Sequence, residues 1–256
     1  MKRILLTNDA GVFAEGIGEL AKVLRRKYHV TIVAPDRERS AASHSLTIHH
    51  PLRIFKIKED KYAVDGTPTV CVILATHKII KTKIDLVISG INNGPNMGED
   101  ILYSGTVAAA IEAMNLGLPA LAVSMGFRDK GDFKDGAEIL LHMLEHDLIS
   151  IMSAESILNI NLPPVPLHEV KSFKVTKLGH RVYSDFIKER HDPRGRPYYW
   201  IGGQTPNWTG GVETDFHAVR ENSVSITPIT IDMTKYAYFP QIEEWIEKNK
   251  INKRDS

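Results

Sequence analysis

Five short apolar segments, each followed by a polar loop, recur along the first 164 residues: KRILLT, HVTIVAP, IDLVISG, PALAVSM and SILNINLPP. Segments with apolar residues at helical spacing lie between them, among them GIGELAKVLRRKY, TPTVCVILATHKII, TVAAAIEAMNLG and KDGAEILLHMLEHDL. Near-continuous apolar strands that alternate with helices are typical of a parallel sheet covered on both faces. The sequence therefore predicts an α/β fold, whose ligands bind at the carboxyl ends of the strands.

The chain changes character after about Pro164. Residues 165–238 are rich in strand-like segments, with turns such as WIGGQ and TGGVE, whereas FPQIEEWIEKNK predicts a final helix and KRDS a frayed tail. We predict an α/β core with the active site over residues 1–164 and a β-rich extension with oligomer contacts over residues 165–256. The two parts are expected to form one continuous domain.

Composition excludes several classes of protein. The formal net charge of +1 provides no general attraction to nucleic acid, so a basic face would have to be local. The single cysteine, Cys71, lies in the apolar segment VCVILA, which favours a buried thiol and excludes an internal disulfide. The apolar run near the N-terminus is too short for a signal peptide, and none reaches the length of a membrane span. We therefore expect a cytoplasmic protein with no membrane partner and no stable nucleic-acid partner.

Side chains with oxygen atoms follow three of the predicted strands. Asp9 follows the first strand, Ser40 lies in the loop after the second, and Asn92, Asn93 and Asn96 follow IDLVISG. Each residue alone is more typical of a turn or a cap, but carboxyl ends of parallel strands converge at one edge. Such oxygens suit Mg²⁺ or Mn²⁺, and the absence of a Cys/His cluster or an HExxH motif disfavours zinc.

A second candidate site is the start of the helix in YSGTVAAAIEAM. Ser104, Gly105 and Thr106 lead into this helix, and a helix N-terminus attracts phosphate through its free N–H groups and positive dipole. The commoner role for such residues is a plain N-cap. No Walker A motif is present and no GxGxxG follows the first strand, which disfavours an ATP-driven motor and a dinucleotide-dependent oxidoreductase.

The segment HRVYSDFIKERHDPRGRPYYW, residues 180–200, is both basic and aromatic. It could contact a base, a phosphate or RNA, or it could be a solvated arm that makes oligomer contacts. Charge runs are usually solvated faces, so the sequence favours the arm. The pair His49 and His50 is interpreted as surface or edge strand rather than as two metal ligands.

Taken together, the motifs resemble the survival protein SurE family of nucleotidases. The matching segments are ILLTNDAG, VAPDRERSAASHSLT, VDGTPTVCV, DLVISGINNGPNMGEDILYSGTVAAAIEA, LNINLP and TDFHAVRENSVSITPIT, in that order. The resemblance implies a three-layer α/β/α, Rossmann-like, mostly parallel sheet with a β-hairpin extension and a C-terminal segment used in homodimers or homotetramers. It also implies a metal-dependent phosphatase of nucleoside 5′- or 3′-monophosphates, with one Mg²⁺ or Mn²⁺ per subunit; some relatives also cleave short polyphosphate.

The resemblance also assigns residues. It places the metal ligands at Asp9, position 10, Ser40 and Asn96, with Asp9 and Asn96 as catalytic residues. It places the phosphate pocket at Ser104, Gly105 and Thr106, with Asn96 shared. These expectations fall on residues that the strand ends and the helix start had already singled out.

One position departs from the family pattern, because TNDDG is here TNDAG and Ala10 replaces a carboxylate. An alanine side chain cannot ligate a metal ion, so we expect weakened metal binding and reduced hydrolysis. The alternative is a catalytically dead nucleotide-binding protein. Ala10 is either a natural loss or an introduced substitution, and the other motifs, all intact, favour the substitution. Whether water or Asp9 is the nucleophile stays open at this point.

Overall fold

The structure is a computed structural model that describes residues 1–40, 43–126, 132–182, 187–201 and 207–249. Its strands are β1 Arg3–Thr7, β2 His29–Pro35, β3 Ile54–Lys58, β4 Lys61–Val64, β5 Leu86–Asn93, β6 Ala120–Met125, β7 Ile157–Leu162, β8 Phe173–Val175, β9 His180–Val182, β10 Ile187–His191, β11 Pro197–Ile201, β12 Asn207–Thr209 and β13 Val224–Ile229. Its α-helices are α1 Glu15–Leu24, α2 Pro68–Leu74, α3 Gly105–Asn115, α4 Phe133–Glu145, α5 Asp215–Arg220 and α6 Phe239–Lys248.

Nine strands form one sheet in the order β3-β4-β2-β1-β5-β6-β7-β13-β8. Six strands that are neighbours in the sheet, β4, β2, β1, β5, β6 and β7, are mutually parallel, whereas β13 runs antiparallel to β7. From β1 the chain moves to β2 on one side and later returns to β5 on the other. The topological switch point therefore lies between β1 and β5, where ligands bind in open α/β sheets.

Two apolar cores lie on opposite faces of this sheet. Leu6 belongs to the core that includes residues of α1 and α4, and Leu5 to the core that includes residues of α2 and α3. Adjacent residues of a strand point to opposite faces, so a strand between two helical layers must be apolar at every position. The predicted α/β fold with a mostly parallel sheet is confirmed.

Helix α2 begins as its sequence indicates. Thr67 is the N-cap and its hydroxyl accepts a hydrogen bond from the backbone N–H of Val70 at 3.4 Å, while Pro68 occupies the first helical position. A π-helical turn, Ala75–Ile79, extends the helix. Cys71 is fully buried, and burial raises the pKa of its thiol well above the ordinary range. The predicted buried thiol is confirmed.

The segment after residue 164 returns to the central sheet. Strands β8 and β13 complete its edge, whereas β10 and β11 form a separate antiparallel hairpin and β9 pairs with β12. The short helix α5 lies within the stretch predicted as strands. The sequence did not indicate it, because six residues are too few for a helical period to be recognised. The division at residue 164 stays a prediction, and the tail KRDS lies outside the described residues. In the described part of the chain, no helix has the length and hydropathy needed to cross a membrane.

Strand β5 continues beyond the predicted end at Gly90 and includes Asn92 and Asn93. Its register with β6 shifts between Ser89 and Asn92. Gly90 has a φ of 145°, and a Cβ atom there would lie 2.3 Å from the carbonyl oxygen of Val123. Only glycine fits such a close backbone approach. The irregularity places two polar residues at the carboxyl end of a buried strand.

Candidate active site

A cavity of about 350 Å³ opens at the carboxyl ends of β1, β2 and β5. It is lined by Ala10, Ala14, Glu15, Gly16, Glu38, Ser40, Ile91, Asn92, Asn93 and Phe133. Helix α1 approaches closely, because a Cβ atom on Gly16 would lie only 2.2 Å from the carbonyl oxygen of Ile91. The cavity therefore lies at the switch point, between the start of α1 and the end of β5.

Asp9 lies next to this cavity and is 6% exposed. Its Oδ1 atom accepts a hydrogen bond from the Thr106 hydroxyl at 3.0 Å, and its carbonyl oxygen accepts one from the Arg39 backbone N–H at 2.7 Å. Burial raises the pKa of Asp9, the hydrogen bond from Thr106 opposes this rise, and the charge of Glu38 adds to it. A carboxylate held in this way gains from a nearby cation or dipole.

The N-terminus of α3 supplies that dipole. A Cβ atom on Gly105 would lie 2.9 Å from the Asp9 Cβ atom, so glycine allows the two segments to meet. Ser104 is the N-cap, and its hydroxyl accepts a hydrogen bond from the Val107 N–H at 3.1 Å. Thr106 is fully buried against Asp9. The structure thus brings Asp9 together with Gly105 and Thr106, and it shows the capping geometry for Ser104.

Ser40 lies on the cavity wall with Ala10, and both residues are exposed. The Ser40 hydroxyl donates a hydrogen bond to Oε1 of Glu38 at 2.7 Å. Asn92 also lines the cavity, and its amide nitrogen donates to the Gly94 carbonyl oxygen at 2.8 Å. This bond directs the NH₂ group to the backbone, so the Oδ1 atom is the part of the side chain left to accept a hydrogen bond or a cation.

Asn96, like Asp9, is buried and is not part of the cavity lining: it is 8% exposed. Its Nδ2 atom donates to the Ser124 hydroxyl at 2.8 Å. Its backbone N–H donates to Oδ1 of Asn161 at 2.9 Å, and its carbonyl oxygen accepts from the amide groups of Asn159 and Asn161 at 2.9 and 3.0 Å. The cavity lining therefore includes Asn92 with Ser40 and position 10, whereas Asn96 and Asp9 are both buried residues outside that lining.

The supporting residues of Asn96 were not anticipated from the sequence. Asn159 and Asn161 are fully buried on β7, and two polar residues in the apolar run ILNINL were the available signal, since buried amides need partners. Asp215 was missed as well. Its buried carboxylate accepts hydrogen bonds from the backbone N–H groups of Gly98 and Gly179, at 2.8 and 2.9 Å, and so joins the loop after Asn96 to the extension.

The oxygen atoms at the cavity suit a hard divalent cation. Within the described ranges, no group of three or more His, Cys, Asp or Glu side chains is arranged to hold a metal ion. The oxygen atoms that the cavity offers are the carboxylates of Glu15 and Glu38, the hydroxyl of Ser40 and the amides of Asn92 and Asn93. This donor set fits Mg²⁺ or Mn²⁺ and does not fit zinc.

Known proteins resemble this chain in sequence and in fold over nearly its whole length. The family model described as "Survival protein SurE" matches residues 4–185. The chain is 48% identical over 255 residues to the 5′-nucleotidase SurE of Carboxydothermus hydrogenoformans, with 96% of each chain covered. It is 46% identical to the 5′/3′-nucleotidase SurE of Proteus mirabilis, with 99% of each covered. The crystal structure of the SurE protein from Aquifex aeolicus superposes with a TM-score of 0.85 at 40% identity, covering 95% of this chain and 99% of that chain. The chain therefore belongs to the survival protein SurE family.

Proposed function

We propose that the protein is a metal-dependent phosphatase that hydrolyses nucleoside 5′- or 3′-monophosphates, with an activity lowered by Ala10. The observation that carries the proposal is the contact of Asp9 with the N-terminus of α3, beside a cavity lined by Ser40 and Asn92. The printed names of relatives such as the 5′/3′-nucleotidase of Proteus mirabilis support the substrate class. Short polyphosphate is a second proposed substrate.

The proposed metal ligands are Asp9, Ser40 and Asn96, together with whatever occupies position 10. Asn92 is added to this set because it lines the same cavity as Ser40 and Ala10. A bound Mg²⁺ or Mn²⁺ supplies a Lewis acid that neutralises charge on the phosphate. With alanine at position 10, the proposed set has one carboxylate where the family pattern has two, so the affinity for a divalent ion is lowered.

Phosphate binding is assigned to the first turn of α3. The first N–H groups of a helix have no acceptor within it, and they lie at the positive end of the dipole. Gly105 brings this turn against Asp9, Thr106 is hydrogen-bonded to the Asp9 carboxylate, and Ser104 precedes the helix as its N-cap. Asn96 is proposed to contribute to this pocket from the adjacent loop.

The nucleophile is a water molecule or the Asp9 carboxylate. Acid quench of a single turnover with a ³²P-labelled substrate distinguishes them, since only attack by Asp9 leaves label on the protein.

The experiment that tests the function is phosphate release from a panel of nucleoside monophosphates with Mn²⁺ or Mg²⁺, for the chain with Ala10 and for Ala10→Asp in parallel. We expect turnover by both proteins, at a higher rate and a lower metal requirement for Ala10→Asp. Equal rates at every metal concentration would refute the role of position 10. Nucleotide binding without turnover by either protein would favour the catalytically dead binding protein instead.

We also propose that the protein is a homodimer or homotetramer in the cytoplasm. In α6, Phe239, Ile242 and Trp245 are about half exposed and recur on one face, and the helix has no buried residue. An unpartnered apolar face of this kind is typical of a subunit contact. Light scattering after size exclusion tests this: Trp245→Glu should yield smaller species, whereas Glu243→Gln on the polar face should not. The lone thiol of Cys71, buried and unable to form an internal disulfide, supports the location.

A further inference from the structure

The cavity at position 10 contains a carboxylate that the family pattern did not point to. Glu38 lies on the same cavity wall as Ala10 and Ser40. Its loop is tied to the first strand end, because the backbone N–H of Arg39 donates to the carbonyl oxygen of Asp9 at 2.7 Å. Glu38 directly precedes Arg39 and is therefore fixed close to Asp9, while its own side chain is exposed.

The hydrogen bond between Ser40 and Glu38 has a consequence for cation binding. The Ser40 hydroxyl donates a hydrogen bond to Oε1 of Glu38 at 2.7 Å. The lone pairs of that hydroxyl oxygen then remain available to a cation, and the negative charge of the carboxylate lies next to it. A group that accepts a hydrogen bond from a metal ligand orients that ligand and raises its basicity. Glu38 thus has both the charge and the contact that a metal site requires.

We infer that Glu38 supplies the second negative charge of the metal site, in place of the carboxylate that position 10 lacks. The inference rests on the proposed function, because it assumes a divalent cation among Asp9, Ser40 and Asn92. It also predicts that the chain with Ala10 retains measurable metal affinity, although an alanine side chain cannot bind a metal. Restoring a carboxylate at position 10 makes the charge of Glu38 largely redundant.

Glu15 provides a matched control on the same cavity. It is also exposed and lines the cavity, but it is the first residue of α1, where its charge interacts with the helix dipole. In the described part of the chain, no hydrogen bond joins it to Asp9, Ser40 or Asn92. Removal of its charge therefore changes the cavity without changing the partner of a proposed ligand.

The test is calorimetric titration of Mn²⁺ in the absence of substrate. It compares the unsubstituted chain, which carries Ala10, with Glu38→Gln, Glu15→Gln, Asp9→Asn, Ala10→Asp and the double variant Ala10→Asp/Glu38→Gln. We expect Glu38→Gln to weaken Mn²⁺ binding about tenfold and Glu15→Gln to leave it unchanged. In the Ala10→Asp background, Glu38→Gln should weaken binding by no more than about twofold, since nearby effects at a shared site are not additive. Circular dichroism melts verify that each variant is folded.

The outcomes separate this inference from the proposed function. Native affinity in Glu38→Gln, with affinity lost in Asp9→Asn, would overturn the role of Glu38 and leave the proposed metal site standing. An equal loss in Glu38→Gln and Glu15→Gln would also overturn it, because a general charge effect would then suffice. Absence of Mn²⁺ binding by Ala10→Asp would refute the metal site itself, and the inference with it.

Discussion

The buried amide of Asn161 leads to a quantitative prediction, because it forms two hydrogen bonds with the backbone of Asn96. It accepts from the N–H group at 2.9 Å and donates to the carbonyl oxygen at 3.0 Å. Asn161→Ala leaves the buried N–H of Asn96 without its acceptor, at a cost of about 1–3 kcal/mol, and removes bonds with a net worth of about 1 kcal/mol each. We expect a loss of about 3 kcal/mol in the free energy of unfolding.

Asn159→Ala is the matched comparison, since Asn159 lies two positions earlier on the same strand and is equally buried. Its amide donates only to the carbonyl oxygen of Asn96, which keeps Asn161 as a second donor. Among the described residues, Oδ1 of Asn159 has no hydrogen-bond partner. Removing this buried oxygen therefore removes a desolvation cost and offsets part of the lost stability. We therefore expect Asn159→Ala to cost about 1 kcal/mol, clearly less than Asn161→Ala.

Urea unfolding monitored by circular dichroism measures both variants, and thermal melts verify the order. A difference of about 2 kcal/mol corresponds to about 4–8 °C in a protein of this size. Because Asn96 is proposed to serve the phosphate pocket, Asn161→Ala should also raise the KM for a nucleoside monophosphate more than Asn159→Ala does. Equal destabilisation by the two substitutions, or a larger loss in Asn159→Ala, would refute the reasoning about the Asn96 backbone.

Three further predictions concern other contacts of the site. Gly105→Ala places a Cβ atom 2.9 Å from that of Asp9 and should lower kcat/KM about 100-fold, whereas Gly18→Ala, with no atom within 4 Å, should leave kcat/KM unchanged. Asp215→Asn leaves a buried backbone N–H facing an NH₂ group and should cost about 1–3 kcal/mol in urea unfolding; unchanged stability would contradict this. A backbone N–H and a histidine ring lower the pKa of Glu99 to about 2 from 4.5, so its stabilisation is present above pH 4.5 and is lost as the pH falls through about 2. Thermal melts of Glu99→Gln and the native chain should therefore differ at pH 7 and converge in acid; a constant difference would refute the assignment.

Much of the architecture follows from local sequence pattern. The runs that became β1, β2, β5, β6 and β7 are apolar at nearly every position, because both faces of a central parallel strand lie against helices. Thr67 with Pro68 and Ser104 with Gly105 mark the starts of α2 and α3, since capping depends on a few adjacent residues. Asp9 was a candidate because it is the first carboxylate after the first strand.

Contacts between distant segments were decided only by the tertiary structure. The register shift in β5 lies just before Asn92, which lines the cavity of Ser40 and position 10 and which the resemblance had not assigned, and Asn96 is held by Asn161 of β7. The position of Glu38 beside Ala10 depends in the same way on how two strand ends meet. Periodicity and capping are properties of neighbouring residues, so the sequence determined the central strands, the helices other than α5 and the candidate segments. Which of their side chains share one cavity depends on the sheet register and on the packing of buried polar groups, which only the folded chain defines.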